Sequence, residues 1–194
     1  GFRMEKLPAG RSRVIYPAEP LPGVSNPNAS IRHALENPLG DSPPLSALLK
    51  SGMKLTIAFD DISLPLPPMR KPDIRQRIIE AVLDTAAAAG VDDVHLIAAL
   101  ALHRRMTEQE LRHAVGDRVY DAFAPSGVIY NHDAEDPDGM IVIGTTPHGE
   151  EVQINKRAAE SDLIVYVNIN LVSMDGGWKS TATGLSGYTA LRHH

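Results

Sequence analysis

The residue types best suited to chemistry fall at the ends of apolar runs. Asp60 and Asp61 directly follow one such run, His103 follows a second, and Lys179 lies in a glycine-rich segment after a third. Paired carboxylates can bind a metal, orient a base or cap backbone N–H groups, and an imidazole can act as a general base near neutral pH. A lysine can supply a positive charge or a covalent amine. A self-capping turn explains the two aspartates equally well, so both interpretations stay open here.

The segment around Lys179 also has two interpretations. Lys179 and Trp178, the only tryptophan of the chain, are preceded by Gly176 and Gly177. Because glycine lets a backbone approach a ligand closely, this is either a ligand-binding loop with a lysine reaching into it or a tight turn with a solvated lysine. The Walker phosphate-binding pattern is excluded, since Trp178 and Ser173 stand where it requires glycine.

Two further clusters carry weaker signals. Arg104 and Arg105 follow His103, and either could bind an anion, with Arg104 as the candidate for the substrate, although exposed arginines at the start of a helix are common. His132, Asp133 and Asp136 have a spacing that a metal could use. We favour a polar turn with side chains bonded to the backbone for that second cluster.

The apolar runs predict the elements that must position these residues. Runs at 53–59 and 92–100 indicate strands buried on both faces, 162–172 is a third β run, and a helix is predicted at 72–90. Strand, helix and strand imply a right-handed βαβ unit. We expect an α/β fold, a three-layer sandwich with a mostly parallel, Rossmann-like sheet. Ligands bind beyond the carboxyl ends of such strands, which is where the three loops emerge.

Local signals set the other boundaries. Pro72 and Gly90 suit the N1 and C′ positions of the central helix, Ser30 suits an N-cap, and Thr107 with Glu110 predicts a capping box. The remaining expected elements are helices at 30–40, 44–52 and 106–116, a short helix after 155, and strands at 13–17, 127–131, 140–146 and 150–155, the last two as a hairpin around 147–149.

Composition bounds the functional class. The 194 residues, 43% apolar and 22% charged, suit a single soluble α/β domain, 1–194, with an irregular proline-rich lead-in at 1–28. A net charge of −5 gives no electrostatic case for binding nucleic acid or an anionic membrane. No apolar run approaches the roughly 20 residues that cross a bilayer. There is also no signal-peptide pattern, so we expect a cytoplasmic protein.

Six segments, in this order, resemble those of one family from residue 33 to the end of the chain. They are "ENPLG", "FDDISLPLP", "LALHRRMTEQEL", "NHDAED", "INKRAAESDLIV" and "GGWKSTATGLSGY". The family is the N-terminal domain of the nickel-pincer-dependent lactate racemases. Each segment alone is weak evidence for the family, but six segments in the right order are specific to it.

The resemblance implies a two-domain enzyme with its active site in the cleft between the domains. A pyridinium mononucleotide carrying nickel would be tethered at Lys179 through a thioamide, with Gly176 and Gly177 admitting it. His103 would act as general acid and base on the substrate hydroxyl, and Asp61 would lie beside the cofactor. The substrate's α-hydrogen would be transferred as hydride to the cofactor, which would carry out the redox step.

The chain departs from the family pattern in three places. Leu64 stands where the family has an arginine that binds the substrate carboxylate. This difference argues against lactate as the substrate. The family's second acid/base histidine is absent between Gly149 and Arg192. The family's nickel-ligating histidine falls near His193 and His194, so we name these two as the metal-binding candidates.

The resemblance therefore implies a racemase or epimerase of a 2-hydroxy acid other than lactate, with the C-terminal domain of the same enzyme as partner. The alternative is a non-catalytic or partner-dependent α/β ligand-binding domain that kept the fold. We expect the 194-residue chain to be inactive alone, since half of the cleft would be missing. A homo-oligomer is compatible with both interpretations.

Overall fold

The computed structural model describes residues 3–62, 69–170 and 176–192. The strands within these ranges are β1 Lys54–Asp60, β2 Asp93–Ala99, β3 Ile129–Asn131, β4 Met140–Thr145, β5 Glu151–Asn155 and β6 Leu163–Val167. The α-helices are α1 Pro27–Glu36, α2 Leu45–Leu48, α3 Ile74–Ala88, α4 Glu108–Val115, α5 Asp117–Phe123, α6 Lys156–Ala159, α7 Gly177–Gly184 and α8 Tyr188–Leu191.

Four of the strands form a parallel sheet in the order β3-β2-β1-β6. The central strand β1 pairs with β2 from Lys54–Asp93 to Asp60–Ala99, and with β6 along its other edge. Helices cover both faces, so the predicted three-layer α/β sandwich with a mostly parallel sheet is confirmed. All four strands point the same way, which brings the carboxyl ends of β1, β2 and β6 to one edge of the sheet.

The larger core lies between one face of the sheet and the helices α2 to α5. Leu55, Ile57 and Phe59 alternate along β1 and point into this core, where each is fully buried. Period-two alternation is what places every second side chain of a strand on one face. The helices contribute buried residues that include Ile79, Val82, Ala86, Leu111, Ala114, Val115 and Val119.

The opposite face of the sheet carries small residues, and this lets the chain pack closely there. Ala58 and Ala99 meet Ala158 of α6 and Leu185, which follows α7. A Cβ on Gly184 would lie 2.9 Å from the Cβ of Ala99, a distance that real Cβ contacts do not reach. Glycine at the end of α7 therefore permits the close approach of this helix to the end of β2.

The central helix begins two positions later than predicted, at Ile74 and not at Pro72. Asp73 is the N-cap of α3, and its carboxylate accepts the backbone N–H of Arg75, so placing Pro72 at N1 was wrong. The helix begins after Asp73 because the Asp73 carboxylate accepts a backbone N–H of the first turn that has no partner within the helix. Gly90 follows the C-cap with φ 74°, as a C′ glycine should.

The antiparallel pair β4–β5 forms the predicted hairpin as a separate two-stranded sheet. Within the described residues, no helix is long and apolar enough to cross a membrane.

Other predictions also differ from the structure. The helix expected at 44–52 ends at Leu48, and the strand expected at 162–172 ends at Val167. Segment 13–17 is not a strand and is exposed along its whole length. The first helix starts at Pro27 with Asn26 as N-cap, not Ser30, because the Asn26 side chain accepts the Ala29 N–H. The segment around Lys179 was predicted as a loop, whereas most of it forms α7.

His132 is a buried histidine at the end of β3. Its Nε2–H donates to the Ser186 carbonyl at 2.9 Å, and its Nδ1 accepts from the Asn155 amide at 3.4 Å. Burial lowers the pKa of His132, and this effect exceeds the opposing ones of the Ser186 hydrogen bond and the Asp133 charge. The folded protein thus holds the neutral imidazole, which joins the end of β3 to β5 and to the segment after α7.

The capping box of α4 is confirmed and predicts a stability change. Thr107 Oγ1 accepts the Glu110 N–H at 3.3 Å, and Glu110 Oε2 accepts the Thr107 N–H at 2.8 Å. We expect Thr107→Ala to lower the free energy of unfolding by about 1 kcal/mol, because the cap is lost. Thr107→Ser keeps the hydroxyl and is the matched control. Equal denaturation midpoints for wild type and Thr107→Ala would contradict this role.

The lowered pKa of His132 predicts acid destabilisation. Because the unfolded chain takes up a proton near the ordinary histidine pKa of about 6.5 and the folded state resists it, stability is full above that pH and falls as the pH decreases below it. We expect His132→Gln to reduce the loss of unfolding free energy that occurs between pH 7 and pH 5. Urea titrations across this range measure the slope, and equal slopes in the two proteins would show that His132 is not responsible.

Candidate functional site

A cavity of about 130 Å³ opens at the carboxyl edge of the parallel sheet. The ends of β1, β2 and β6 form its floor, and α7 forms one wall. Its lining residues are Asp60, Asp61, Ala99, Ala101, His103, Tyr166, Asn168, Ile169, Lys179, Ser180, Thr183 and Gly184. The aspartates, the histidine and the lysine singled out in the sequence therefore line one cavity, as the parallel topology requires.

Asp61 and His103 form a hydrogen-bonded pair on the cavity wall. Nδ1 of His103 lies 2.9 Å from Oδ2 of Asp61. The Asp61 side chain is buried at 6% exposure, whereas that of His103 is 50% exposed. An ionised carboxylate can only accept, so the pair favours the tautomer of His103 with the proton on Nδ1. Nε2 is then left with a lone pair that can take a proton from a bound molecule.

The turn after β2 places His103 and also ties it to α7. Ala101 has φ 51°, in the left-handed region that a non-glycine residue rarely adopts. Its N–H donates to the Gly184 carbonyl at 3.0 Å, and the His103 N–H donates to the Leu100 carbonyl at 2.8 Å. Strained backbone of this kind persists only where surrounding contacts hold it.

Lys179 lies in the first turn of α7. Gly176 and Gly177 precede it with φ values of 88° and 59°, a conformation that favours glycine. A Cβ on Gly176 would lie 2.8 Å from Oδ1 of Asn170. The glycines therefore build the sharp entry into the helix, and the helix directs Lys179 to the cavity. This combines the two sequence interpretations, since a tight turn presents the lysine to the cavity.

Trp178 lies outside this cavity and is 84% exposed. It lines a separate, more apolar cavity of about 620 Å³ between α7 and the β4–β5 hairpin. The glycines therefore do not bring the tryptophan and the lysine to the same cavity.

Ser180 and Asn168 support the α7 wall, and sequence reasoning did not identify them. Ser180 Oγ accepts the Gly176 N–H at 3.0 Å and donates to Oδ1 of Asn168. These contacts connect the start of α7 to the end of β6. A serine one residue after the lysine, at helical spacing from Gly176, was the only local signal for this role.

Asp60 and Tyr166 also line the cavity. Asp60 Oδ2 accepts the Ile169 N–H at 2.6 Å. Burial raises the pKa of Asp60, while the Ile169 hydrogen bond and the Arg75 charge oppose this rise. Burial and the adjacent Asp60 and Asp61 carboxylates raise the pKa of Tyr166, which keeps its phenol neutral. Tyr166 was missed in the sequence, where it is one of several apolar residues of a strand.

Arg104 is held by an ion pair beside the site. Its two terminal nitrogens donate to the Glu110 carboxylate at 2.9 Å and 2.7 Å. This hydrogen bonding is the main cause that lowers the pKa of Glu110 to about 2. Arg104 is not among the residues that line the cavity, so binding of a substrate by this residue would require it to leave Glu110.

The second cluster has the favoured structural interpretation. Asp133 contacts Arg105 and accepts the Glu135 N–H, and Asp136 accepts the Asp138 N–H. Across the described ranges, no group of three or more His, Asp or Glu side chains could hold a metal ion. Leu64, His193 and His194 lie outside the described residues.

The family model for the lactate racemase N-terminal domain matches residues 3–194. The lactate racemase of Thermoanaerobacterium thermosaccharolyticum is 26% identical in an alignment of 203 positions, which covers 93% of this chain and 44% of that protein. The lactate racemase of Lactiplantibacillus plantarum is 27% identical over 170 residues, which cover 85% of this chain and 38% of that protein.

Two solved structures share the fold. The lactate racemase apoprotein of Thermoanaerobacterium thermosaccharolyticum matches with a TM-score of 0.65 and 26% identity, over 85% of this chain and 38% of that one. A Thermotoga maritima protein matches with a TM-score of 0.56 and 18% identity, over 82% of this chain and 38% of that one, and shows the fold alone. The chain thus spans less than half the length of these relatives. From the family match over nearly its whole length, this chain belongs to the lactate racemase N-terminal domain family.

Proposed function

We propose that this chain is the N-terminal domain of a two-domain racemase or epimerase of a 2-hydroxy acid. The observation that carries the proposal is the shared cavity, in which the Asp61–His103 pair and Lys179 face the same space. An imidazole oriented by a buried carboxylate is suited to moving a hydroxyl proton. A lysine on the same wall is suited to anchoring a cofactor.

A nickel-pincer pyridinium mononucleotide fits this site in part. Lys179 supplies an amine on the cavity wall, whereas Gly176 and Gly177, also expected to contact the cofactor, do not line the cavity. The cavity of about 130 Å³ is smaller than the roughly 300–1,000 Å³ of small-molecule sites. We therefore propose that a second domain, which the family resemblance implies, completes the site, and that His193 or His194 contributes to holding nickel.

The residues of this chain would handle the proton of the substrate. Nε2 of His103 takes the proton from the substrate hydroxyl, and Asp61 stabilises the imidazolium that forms. When bound, the cofactor supplies an acceptor for the substrate's α-hydrogen as hydride. His103 returns the proton to the oxygen when the keto acid is reduced again.

The substrate proposed is a hydroxy acid other than lactate. Leu64 stands where the resemblance implies an arginine, and an alkyl group cannot pair with a carboxylate. Arg104 is the cationic candidate beside the cavity, at the expense of its Glu110 ion pair. A larger substrate that carries further polar groups would gain contacts with Asn168 or Ser180 on the cavity wall.

A second candidate function is a non-catalytic or partner-dependent ligand-binding domain. Leu64, where the resemblance implies an arginine, and the lack of a second histidine between Gly149 and Arg192 favour this second function. The retained Asp61–His103 hydrogen bond favours the enzyme instead, because a site without catalysis has no need of an oriented imidazole.

The first test is modification of Lys179. We expect the protein made together with nickel and the cofactor-synthesis enzymes to gain mass on the peptide that contains Lys179, measured by intact-mass and peptide mass spectrometry. Lys179→Arg should remain unmodified, whereas the control Lys156→Arg, at a lysine that lines a different cavity, should be modified like wild type. An unmodified Lys179 in wild-type protein made under these conditions would favour the non-catalytic function.

The second test is the role of the Asp61–His103 pair. In the full-length, cofactor-loaded protein, assayed against a panel of sugar acids and of branched or aromatic hydroxy acids, we expect His103→Asn to lower kcat by about 10²- to 10⁴-fold, because general acid–base catalysis is lost. Asp61→Asn should also lower kcat, since it removes the group that orients the imidazole. His148→Asn changes an exposed histidine on the β4–β5 turn and serves as the control. Turnover by His103→Asn within about twofold of wild type would rule out this role.

A further inference from the structure

A buried ion pair lies behind the cavity, at the start of α3. Asp73 is fully buried and Arg75 is 5% exposed. Oδ1 of Asp73 accepts from Nε of Arg75 at 3.1 Å, and Oδ2 accepts from Nη2 at 2.8 Å. Nε2 of His113 lies 3.7 Å from Oδ2 of Asp73. The bidentate contact fixes the plane of the guanidinium.

The remaining guanidinium nitrogen reaches the end of β1. Nη1 of Arg75 donates to the Asp60 carbonyl at 2.6 Å and to the Asp61 carbonyl at 3.2 Å. The pairing of β1 with β2 ends at Asp60, so Asp61 lies just past the ladder of the sheet. The arginine therefore supplies a hydrogen bond to the backbone at the point where the sheet no longer does.

The backbone held by Arg75 is the one that carries the Asp61 side chain. That side chain is buried and contacts Nδ1 of His103. A shift of the Asp61 backbone would lengthen or misdirect this hydrogen bond, because a buried carboxylate on a short side chain has little freedom to compensate. The contacts thus run from Asp73 through Arg75 and the Asp61 backbone to the imidazole.

We propose that Arg75, held by Asp73, is a positioning residue that aligns Asp61 so that His103 keeps its proton on Nδ1 and its lone pair on Nε2. Its importance for catalysis rests on the proposed function, but its effect on His103 does not. The competing explanation is that the buried pair only stabilises the junction between β1 and α3. The two explanations differ in what they predict for the imidazole.

The test reads the tautomer of His103 by long-range ¹H–¹⁵N NMR of the imidazole nitrogens in cofactor-free protein at pH 8. We expect wild type to show the proton on Nδ1, with the signals assigned from their loss in His103→Gln. Asp61→Asn removes the carboxylate and should shift protonation towards Nε2, which calibrates the measurement. Arg75→Lys and the milder Asp73→Asn should each move the tautomer in the same direction as Asp61→Asn.

Two control variants separate positioning from stability. Arg77→Lys changes a half-buried arginine of α3 that bonds Asn28, and Val82→Ala lowers stability from a fully buried position of the same helix. Both should retain the wild-type tautomer. A wild-type His103 with its proton on Nε2 would overturn the proposal before any variant is made.

The variants give the second decisive outcome. If folded Arg75→Lys or Asp73→Asn loses stability like Val82→Ala and keeps the wild-type tautomer, the pair is only structural. Activity does not enter this test. A tautomer that shifts in a protein without racemase activity would support the positioning role while the proposed function fails.

Discussion

The parallel register of β1, β2 and β6 is the constraint on which the site depends. Parallel strands end at a common edge, so the polar residues that follow them meet although they are far apart in the sequence. Asp61, His103 and Lys179 reach the same cavity for this reason. The small residues Ala58 and Ala99 add a second condition, because they let α7 lie close enough to the sheet to present its lysine.

The electrostatics of the cavity follow from the same geometry. Asp60 and Asp61 are consecutive residues at the end of β1, and the charge of Asp61 contributes to raising the pKa of Asp60. The pKa of Asp60 is raised by burial above all. Hydrogen bonds from the Ile169 N–H to Asp60 and from His103 to Asp61 give each carboxylate its own donor. The edge of the sheet thus holds two neighbouring carboxyl groups with different hydrogen-bond partners.

The sequence predicted the framework because long apolar runs and a strongly periodic helix carry their own signal. The strands around 53–59 and 92–100, the helix α3 and the capping box at Thr107 were found within a few residues of their bounds. The helix α7 was missed since its sequence, GWKSTATG, is poor in strong helix formers and begins at a glycine. Tertiary contacts with the sheet decide its conformation, and these are invisible in a local pattern.

Contacts between distant residues explain the other gaps in the predicted site. Arg104 was expected to bind an anion, but it forms an ion pair with Glu110, a residue of the α4 capping box. Arg75 and Tyr166 gave no signal, as one occupies an ordinary helix position and the other an ordinary strand position. Their positions after apolar runs and the family resemblance both pointed to Lys179 and His103, and the structure adds the hydrogen bond between Asp61 and the histidine.

The most direct measurement of the central claim is an NMR experiment on protein whose Lys179 has been reductively coupled to pyridoxal phosphate, a flat aromatic aldehyde of cofactor-like size. If lysine, histidine and carboxylate share one cavity, the ring signals of His103 should shift and show contacts to the attached pyridine ring, while those of His148 stay unchanged. Ring signals of His103 that are identical before and after the coupling would contradict the account.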